Sequence, residues 1–355
     1  MLSVRAIRIQ TLTWATLAIL FLISAPLLWA ASPLVLGMVA ALGAGMGLAT
    51  KRVLRAYRGK RRRSMLTGAA VACSLVAAPL YWLLLQPALH PLTVPRVTLS
   101  DGTRQVVFQG MIHIGSDQFY RSVVYDMLRA RDAGYVLYFE GILPGTPEAT
   151  AWLNAAVHAD GDLNAQYARL ANACGLEFQG DFLNFVQRQA AIDPAHVVLA
   201  DVSVTEVYEE WKRLVAERPE LDQPIAPSQA AGQDLTLSKG LDFVSRLGGH
   251  QRDFLAAACR GAFTLLLGRG EDADVMNLVV LDFRNRKLAD RIAAAAGQDI
   301  YIAYGSGHLA GLLEEMRKRD PSWQILSTTW TTAILPPDDA TGRLPVQAGL
   351  LMFQP

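Results

Sequence analysis

Forty-two consecutive residues, Ile9 to Thr50, carry no charged side chain. As one helix that run would be roughly 63 Å long at about 1.5 Å per residue, about twice the hydrocarbon thickness of a bilayer. Ser32-Pro33 interrupts it near the middle, where proline disfavours continuation of a helix. The run therefore divides into two membrane crossings, about Leu12–Ala31 and Leu34–Thr50, joined by a tight turn. Gly37, Gly43, Gly45 and Gly47 suit the second crossing to close helix packing. A third run of spanning length, Met65 to Gln86, follows. A cleaved signal peptide is the rival for the first run, with Ala30-Ala31-Ser32 as a small-residue cleavage site. Its apolar core is longer than a signal core, and further spans follow it. Residues 1–86 are thus expected to form an all-α membrane anchor of about three transmembrane helices.

Charge sets the expected orientation. Residues 1–100 hold eleven Lys and Arg and no Asp or Glu, which leaves 22 basic against 32 acidic residues beyond them. The basic segment Lys51–Arg63 lies between the second and third spans and reads as a cytoplasmic loop, with Arg5 and Arg8 on the same side. The third span then carries the acidic remainder across. The expected location is the cytoplasmic (inner) membrane, multi-pass, with the C-terminal part extracytoplasmic (periplasmic). The partners expected are the lipid bilayer and a peptide or protein substrate. The acidic part has no basic stripe, which argues against nucleic acid.

Pro87, Pro91 and Pro95 mark residues 87–96 as an extended tether. A globular domain, 97–355, is expected beyond it, opening with a hairpin turn at Asp101-Gly102. Val106–His113 and Tyr135–Gly141 are apolar runs of strand length. They bracket a segment in which Val123, Val124, Met127 and Leu128 share one helix face, so the whole reads as a β-α-β unit. Helices are expected from about Pro147, over Tyr167–Cys174 stopped by Gly175, and over Thr205–Arg218 with Thr205 as N-cap. His196–Asp201, Ile300–Tyr304, Gln324–Trp330 and Gly349–Phe353 read as further strands. Leu221–Ser238 reads as a loop, with a lid over the site as the sharper alternative. Phe254–Leu267 is too short to span and reads as a buried core helix. Asp274–Ala295 reads as one long helix carrying Arg284 and Asn285. The fold class expected is α/β, a mixed sheet with flanking helices.

Each strand of the β-α-β unit ends on a group able to do chemistry, His113 after the first and Glu140 after the second. The spacing Gly-x-x-His occurs at Gly110–His113 and again at Gly305–His308, each time where a strand gives way. One such match carries little, since a histidine after a strand is usually a hydrogen-bonded structural residue. Two copies and a strand-terminal glutamate carry more. In open α/β sheets ligands collect outside the carboxyl ends of the strands.

With Glu140-Gly141, Arg284-Asn285, the run Tyr167–Gln179 and Gly305–Gly311, these motifs resemble the TraB/PrgY/GumN family over about residues 103–330. That family includes the TIKI proteases and is related to the ChaN and erythromycin-esterase-like proteins. Met111 stands where the family often has Thr. Phe283 stands where it often has an acid, with Asp282 one position earlier. The resemblance implies a ChaN/erythromycin-esterase-like α/β fold and a membrane-anchored, metal-dependent peptidase acting outside the cytoplasmic membrane.

His113, Glu140 and His308 would suit a divalent transition metal (Mn, Co or Zn) with positions open for water, which the metal would activate. Arg284 would hold an oxyanion or a substrate carboxylate. The same four residues also allow a metal-free version, in which a histidine is the general base and Glu140 orients it. A non-catalytic alternative is a protein of the same fold that binds a peptide signal, or haem iron through a histidine, Tyr304 or Tyr138. Ser306 lacks the glycine two positions before the serine that a nucleophile elbow requires, since Tyr304 stands there. Three cysteines make no disulfide framework. Cys174 and Cys259 could pair in an oxidising compartment, but both sit on apolar helix faces and are expected to be free and buried, and Cys73 lies in the third span.

Overall fold

The computed structural model describes residues 4–53, 61–156, 163–219, 249–268, 278–295 and 297–337. They form two compact units. One contains α1 (Val4–Ala31), α2 (Pro33–Val53), α3 (Arg61–Leu89) and all but the last turn of α9 (Gly249–Leu267). The other contains the remaining elements.

Within the first unit α1, α2 and α3 are each long and apolar enough to cross a membrane. Ser32 alone separates α1 from α2, and Pro33 opens α2 at the position where its missing N–H costs nothing. Side chains at Gly43 or Gly47 would collide with Gly68 or Ser64 of α3, whereas Gly37 and Gly45 face open space. Two of the four glycines noted in the sequence therefore serve the close α2–α3 approach. Basic residues Lys51, Arg52 and Arg61 to Arg63 belong to helix ends, and the centre of the expected basic loop lies outside the described residues. The expected tether is absent as such. α3 runs through Pro87 to Leu89, and β1 (Leu92–Ser100) begins after two residues and incorporates Pro95. Pro87 sits in the last turn of α3, where the interruption it makes is tolerated.

The second unit is built on a six-stranded mixed sheet in the order β6-β4-β7-β2-β1-β8. Its strands are β1, β2 (Gln105–Met111), β4 (Val136–Phe139), β6 (Val197–Leu199), β7 (Ile300–Gly305) and β8 (Gln324–Ile334). β6, β4, β7 and β2 run parallel, while β1 lies antiparallel to both β2 and β8. The turn at Asp101-Gly102 forms as expected, with Gly102 at φ 92°. A short antiparallel pair, β3 (Ile114–Gly115) with β5 (Glu177–Phe178), lies apart from the main sheet.

Side-chain alternation divides the strands between two cores. Phe108, Tyr138, Ile300, Ile302 and Tyr304 face α10 (Arg284–Ala294) and α11 (Leu309–Arg319), which contribute Leu288, Ile292, Leu312 and Met316. Val107, Leu137, Phe139 and Tyr301 face α4 (Asp117–Asp132) and α7 (Gly180–Ile192). Helices thus cover both faces, as strands buried on both sides require. The helix face expected from Val123, Val124 and Met127 is buried in this second core.

Several boundaries differ from expectation. α8 (Val204–Glu217) is capped by Ser203 in a reciprocal capping box with Glu206, and Thr205 instead accepts a hydrogen bond from Thr146 N. The segment read as one long helix is a π-helix, Leu278–Phe283, that passes into α10 at Arg284, and residues 274–277 lie outside the described ones. α5 (Pro147–Ala156) and α6 (Leu163–Ala173) form where expected, with Gly175 at φ 61° after α6. Segments 221–238 and 349–353 lie outside the described residues. Cys174 and Cys259 are disulfide-bonded and Cys73 is free. The expectation of free thiols fails because a half-cystine asks for the same small apolar niche as a buried thiol.

Candidate active site

The carboxyl ends of β2, β7, β4 and β6 lie side by side on one edge of the sheet. Sequence order pointed to β2 and β4 as neighbours, but β7 is inserted between them. The motif Gly305–His308 therefore occupies the middle of the edge, with Glu140 on one side and His113 on the other. Two strand spacings, about 10 Å, separate β2 from β4. Gly110 pairs with Tyr304 across β2 and β7, and a Cβ on Gly110 would lie 2.9 Å from Pro95 O and 3.1 Å from Ser306 Cβ. That crowding is the local reason for glycine at the first motif.

Glu140, Arg284 and His308 converge, and they bring a residue that the sequence reading left without a role. Arg284 Nε and Nη2 donate to the two carboxylate oxygens of Asp201 at 2.9 and 2.6 Å, and Nη2 also donates to Glu140 Oε1 at 2.7 Å. Asp201 follows β6 just as Glu140 follows β4, so the same signature, an acid at the end of an apolar strand, marks both. Gly141 N and Val202 N donate to Asp201, and Gly305 N donates to Glu140 Oε2 at 2.6 Å. Asp282, the nearest acid before the Arg-Asn pair, is exposed and takes no part in the cluster.

The electrostatics follow from burial around one permanent cation. Desolvation opposes charge on Arg284, but Glu140, Tyr304 and Asp201 outweigh it and hold the guanidinium charged. Burial pushes the Asp201 carboxyl up, while Arg284 pulls it further down, for a net depression. Burial, and then the neighbouring Arg284 charge, lower His308 to about 4. His308 is therefore uncharged near neutrality. Arg284 Nη1 approaches His308 Nε2 at 3.3 Å, and a guanidinium can only donate. His308 Nε2 is thus the acceptor, and Nδ1 carries the proton that Asn285 Oδ1 accepts at 2.8 Å. Arg284 and Asn285, adjacent at the π-to-α junction, together fix the tautomer of His308. Such π segments often mark functional positions.

His113 takes other partners. It is exposed, its Nδ1 pairs with Gln179 Nε2, and its ring stacks on Tyr167 at 5.1 Å. Both ends of the run Tyr167–Gln179 therefore hold the first histidine. Among the described residues no three His, Cys, Asp or Glu side chains gather as metal ligands. Both Glu140 oxygens are engaged by Arg284 and Gly305, and His113 lies across β7 from them. The three side chains expected as one metal-ligand set do not form one in this structure. Tyr304 is fully buried, with its hydroxyl in the Arg284–Asp201 cluster, and is not open as an axial ligand.

No family model, no curated protein and no solved structure matches this chain.

Proposed function

We propose that the chain is a membrane-anchored hydrolase that cleaves peptide bonds outside the cytoplasmic membrane. The observation that carries this reading is the gathering of Glu140, Asp201, Arg284 and His308 at the carboxyl edge of the sheet, one strand from His113. A buried ionic cluster is a poor way to stabilise a fold, because apolar residues of similar volume serve as well or better. Perturbed ionisable groups of this kind concentrate at functional sites. The motif resemblance to TraB/PrgY/GumN proteins supports the same reaction class.

The arrangement favours a metal-independent version. His113 is exposed and is the histidine of the set that water can reach. Gln179 and Tyr167 orient it. In the structure Gln179 Nε2 faces Nδ1; with the amide turned over, its oxygen accepts from Nδ1–H and His113 Nε2 is free to accept a proton from water. The resulting hydroxide attacks the carbonyl carbon, the C–N bond breaks, and His113 returns the proton to the leaving nitrogen. Glu140, the most accessible member of the ionic cluster with 17% of its side chain exposed, is fixed by Arg284 and Gly305 N. Its carboxylate accepts from a substrate N–H and sets the register of the peptide. His308, uncharged and held by Asn285, keeps the cluster from acquiring a second positive charge beside Arg284.

The outward orientation rests on two supports. Basic residues flank the ends of α2 and α3 that meet, in line with the positive-inside rule. Disulfides such as those at Cys174 and Cys259 persist in oxidising compartments.

The test is full-length protein in lipid nanodiscs incubated with random-sequence decapeptides, with cleavage read by mass spectrometry before and after metal stripping. Cleavage that survives stripping and is lost in His113→Ala is the expected result. Cleavage lost on stripping and restored by Mn, Co or Zn would select the metal-dependent version. Peptide binding without cleavage would select the non-catalytic reading.

A further inference from the structure

α9 was expected in the core of the α/β domain, yet it packs with the membrane spans. Phe254 joins an apolar cluster with Leu27 and Leu28 of α1, Val35 of α2, and Cys73 and Leu84 of α3. In α1, α2 and in Leu84 these residues lie toward the α1–α2 turn at Ser32 and the last turns of α3. That is the end of the bundle from which the chain leaves for β1 at Leu92.

A second contact seats α9 on α3. Pro87 lacks the N–H that would bond the Leu83 carbonyl four residues earlier in α3. Inside a bilayer an unpaired carbonyl is costly and needs cover from protein. A Cβ at Gly261 would fall directly on Leu83 O, so the α-carbon of Gly261 lies against that oxygen. A Cα–H facing a carbonyl oxygen is a weak hydrogen bond, and only glycine permits this approach. Leu83 is six residues before the end of α3, roughly 9 Å of helix.

At 19 residues α9 is about 28 Å long, near the hydrocarbon thickness. It nevertheless cannot cross. β2 and β4 precede α9 in the chain, β7 follows it, and β7 hydrogen-bonds between them in one sheet. Both ends of α9 therefore return to the same side of the membrane. Leu266 and Leu267 at its C-terminal end are 65% and 41% exposed.

We propose that α9 is a non-crossing membrane helix, embedded in the leaflet at the Ser32 end of the bundle and touching lipid acyl chains along Phe254–Leu267. This rests on the membrane reading of α1–α3 and is independent of the hydrolase reading. Full-length protein in phosphatidylcholine nanodiscs carrying an acyl-chain diazirine is illuminated, digested and mapped by mass spectrometry. Adducts on residues 254–267 should match those on α1–α3 within a few-fold and exceed those on the exposed face of α4 by about tenfold or more. Adducts on the spans with α9 at the α4 level would overturn the proposal. Absence of adducts on the spans would overturn the membrane reading with it. In Gly261→Leu, α9 adducts should fall several-fold relative to those of the spans. Unchanged labelling in that variant would overturn the seat of α9 on Leu83.

Discussion

Arg284 grips Asp201 with both arms of its guanidinium, at 2.9 and 2.6 Å, across 83 residues of chain, and the Asp201 side chain is fully buried. The same Nη2 reaches Glu140, so that carboxylates at the ends of two adjacent parallel strands, β4 and β6, share one cation. This fork ties α10 to the sheet at the edge where the candidate site lies.

Removing one carboxylate leaves a buried guanidinium undercompensated. Asp201→Ala should cost about 3–5 kcal/mol of stability, measured by denaturant unfolding of the detergent-solubilised full-length protein. Glu140→Gln, at the accessible rim of the cluster, should cost less and act on turnover. A loss below about 1 kcal/mol in Asp201→Ala would show that Asp201 does not hold Arg284.

His308 makes stability depend on pH in a stated direction. Its folded value of about 4 lies below the ordinary histidine value near 6.5, so the unfolded chain binds the extra proton first. The stability is fully present above about pH 6.5 and is lost as pH falls toward 4, by an amount on the order of 3 kcal/mol. Unfolding curves at pH 7.5 and 4.5 should show that loss in the wild type and a smaller one in His308→Gln. Asp201, whose carboxyl is depressed, contributes its own loss at lower pH, beginning as pH falls through the ordinary carboxylate value and complete below the folded one. Equal losses in the two proteins would assign the effect to other groups.

Much of this site was legible in the sequence, and the gaps have physical reasons. Apolar runs ending on His113, Glu140 and Gly305 disclosed the strand ends, because strands buried on both faces are continuous in hydrophobicity. Strand order was not legible. That β7 enters between β2 and β4 is decided by long-range packing, and local pattern carries no record of it. Asp201 bore the same strand-end signature as Glu140, but on a strand of only three residues. Ser203-x-x-Glu206 was a readable capping box obscured by the nearby Thr205. The apolar run in α9 was visible, but its partner was not, since the contact that places it joins Gly261 to a carbonyl freed by Pro87 far upstream.

Thiol chemistry separates the three cysteines. Maleimide under denaturing, non-reducing conditions should label Cys73 alone, and all three sites should react after reduction. Replacing the half-cystines with serine should cost about 2–5 kcal/mol. Labelling of Cys174 or Cys259 without reductant, in protein purified under oxidising conditions, would restore the free-thiol expectation and remove one support for the outward orientation.

The segment Gly305–Gly311 contains a pair of glycines, Gly307 and Gly311, that tests how His308 is held. Gly311, in the first turn of α11, faces Asn285, and a methyl group there would collide with Asn285 Nδ2. Gly307 is exposed, with nothing within 4 Å of where a methyl group would lie. Gly311→Ala must therefore push Asn285 away from His308 Nδ1 or shift α11, and overpacking of this kind costs about 1–3 kcal/mol. Freed from Asn285 Oδ1, His308 is no longer confined to the Nδ1–H tautomer, and peptide cleavage should fall with it. Gly307→Ala should change stability by no more than about 0.5 kcal/mol, as surface substitutions do. Nitrogen-15 NMR of labelled histidine in nanodiscs distinguishes the two tautomers directly. An unchanged His308 tautomer in Gly311→Ala together with unchanged cleavage would show that Asn285 does not position the histidine.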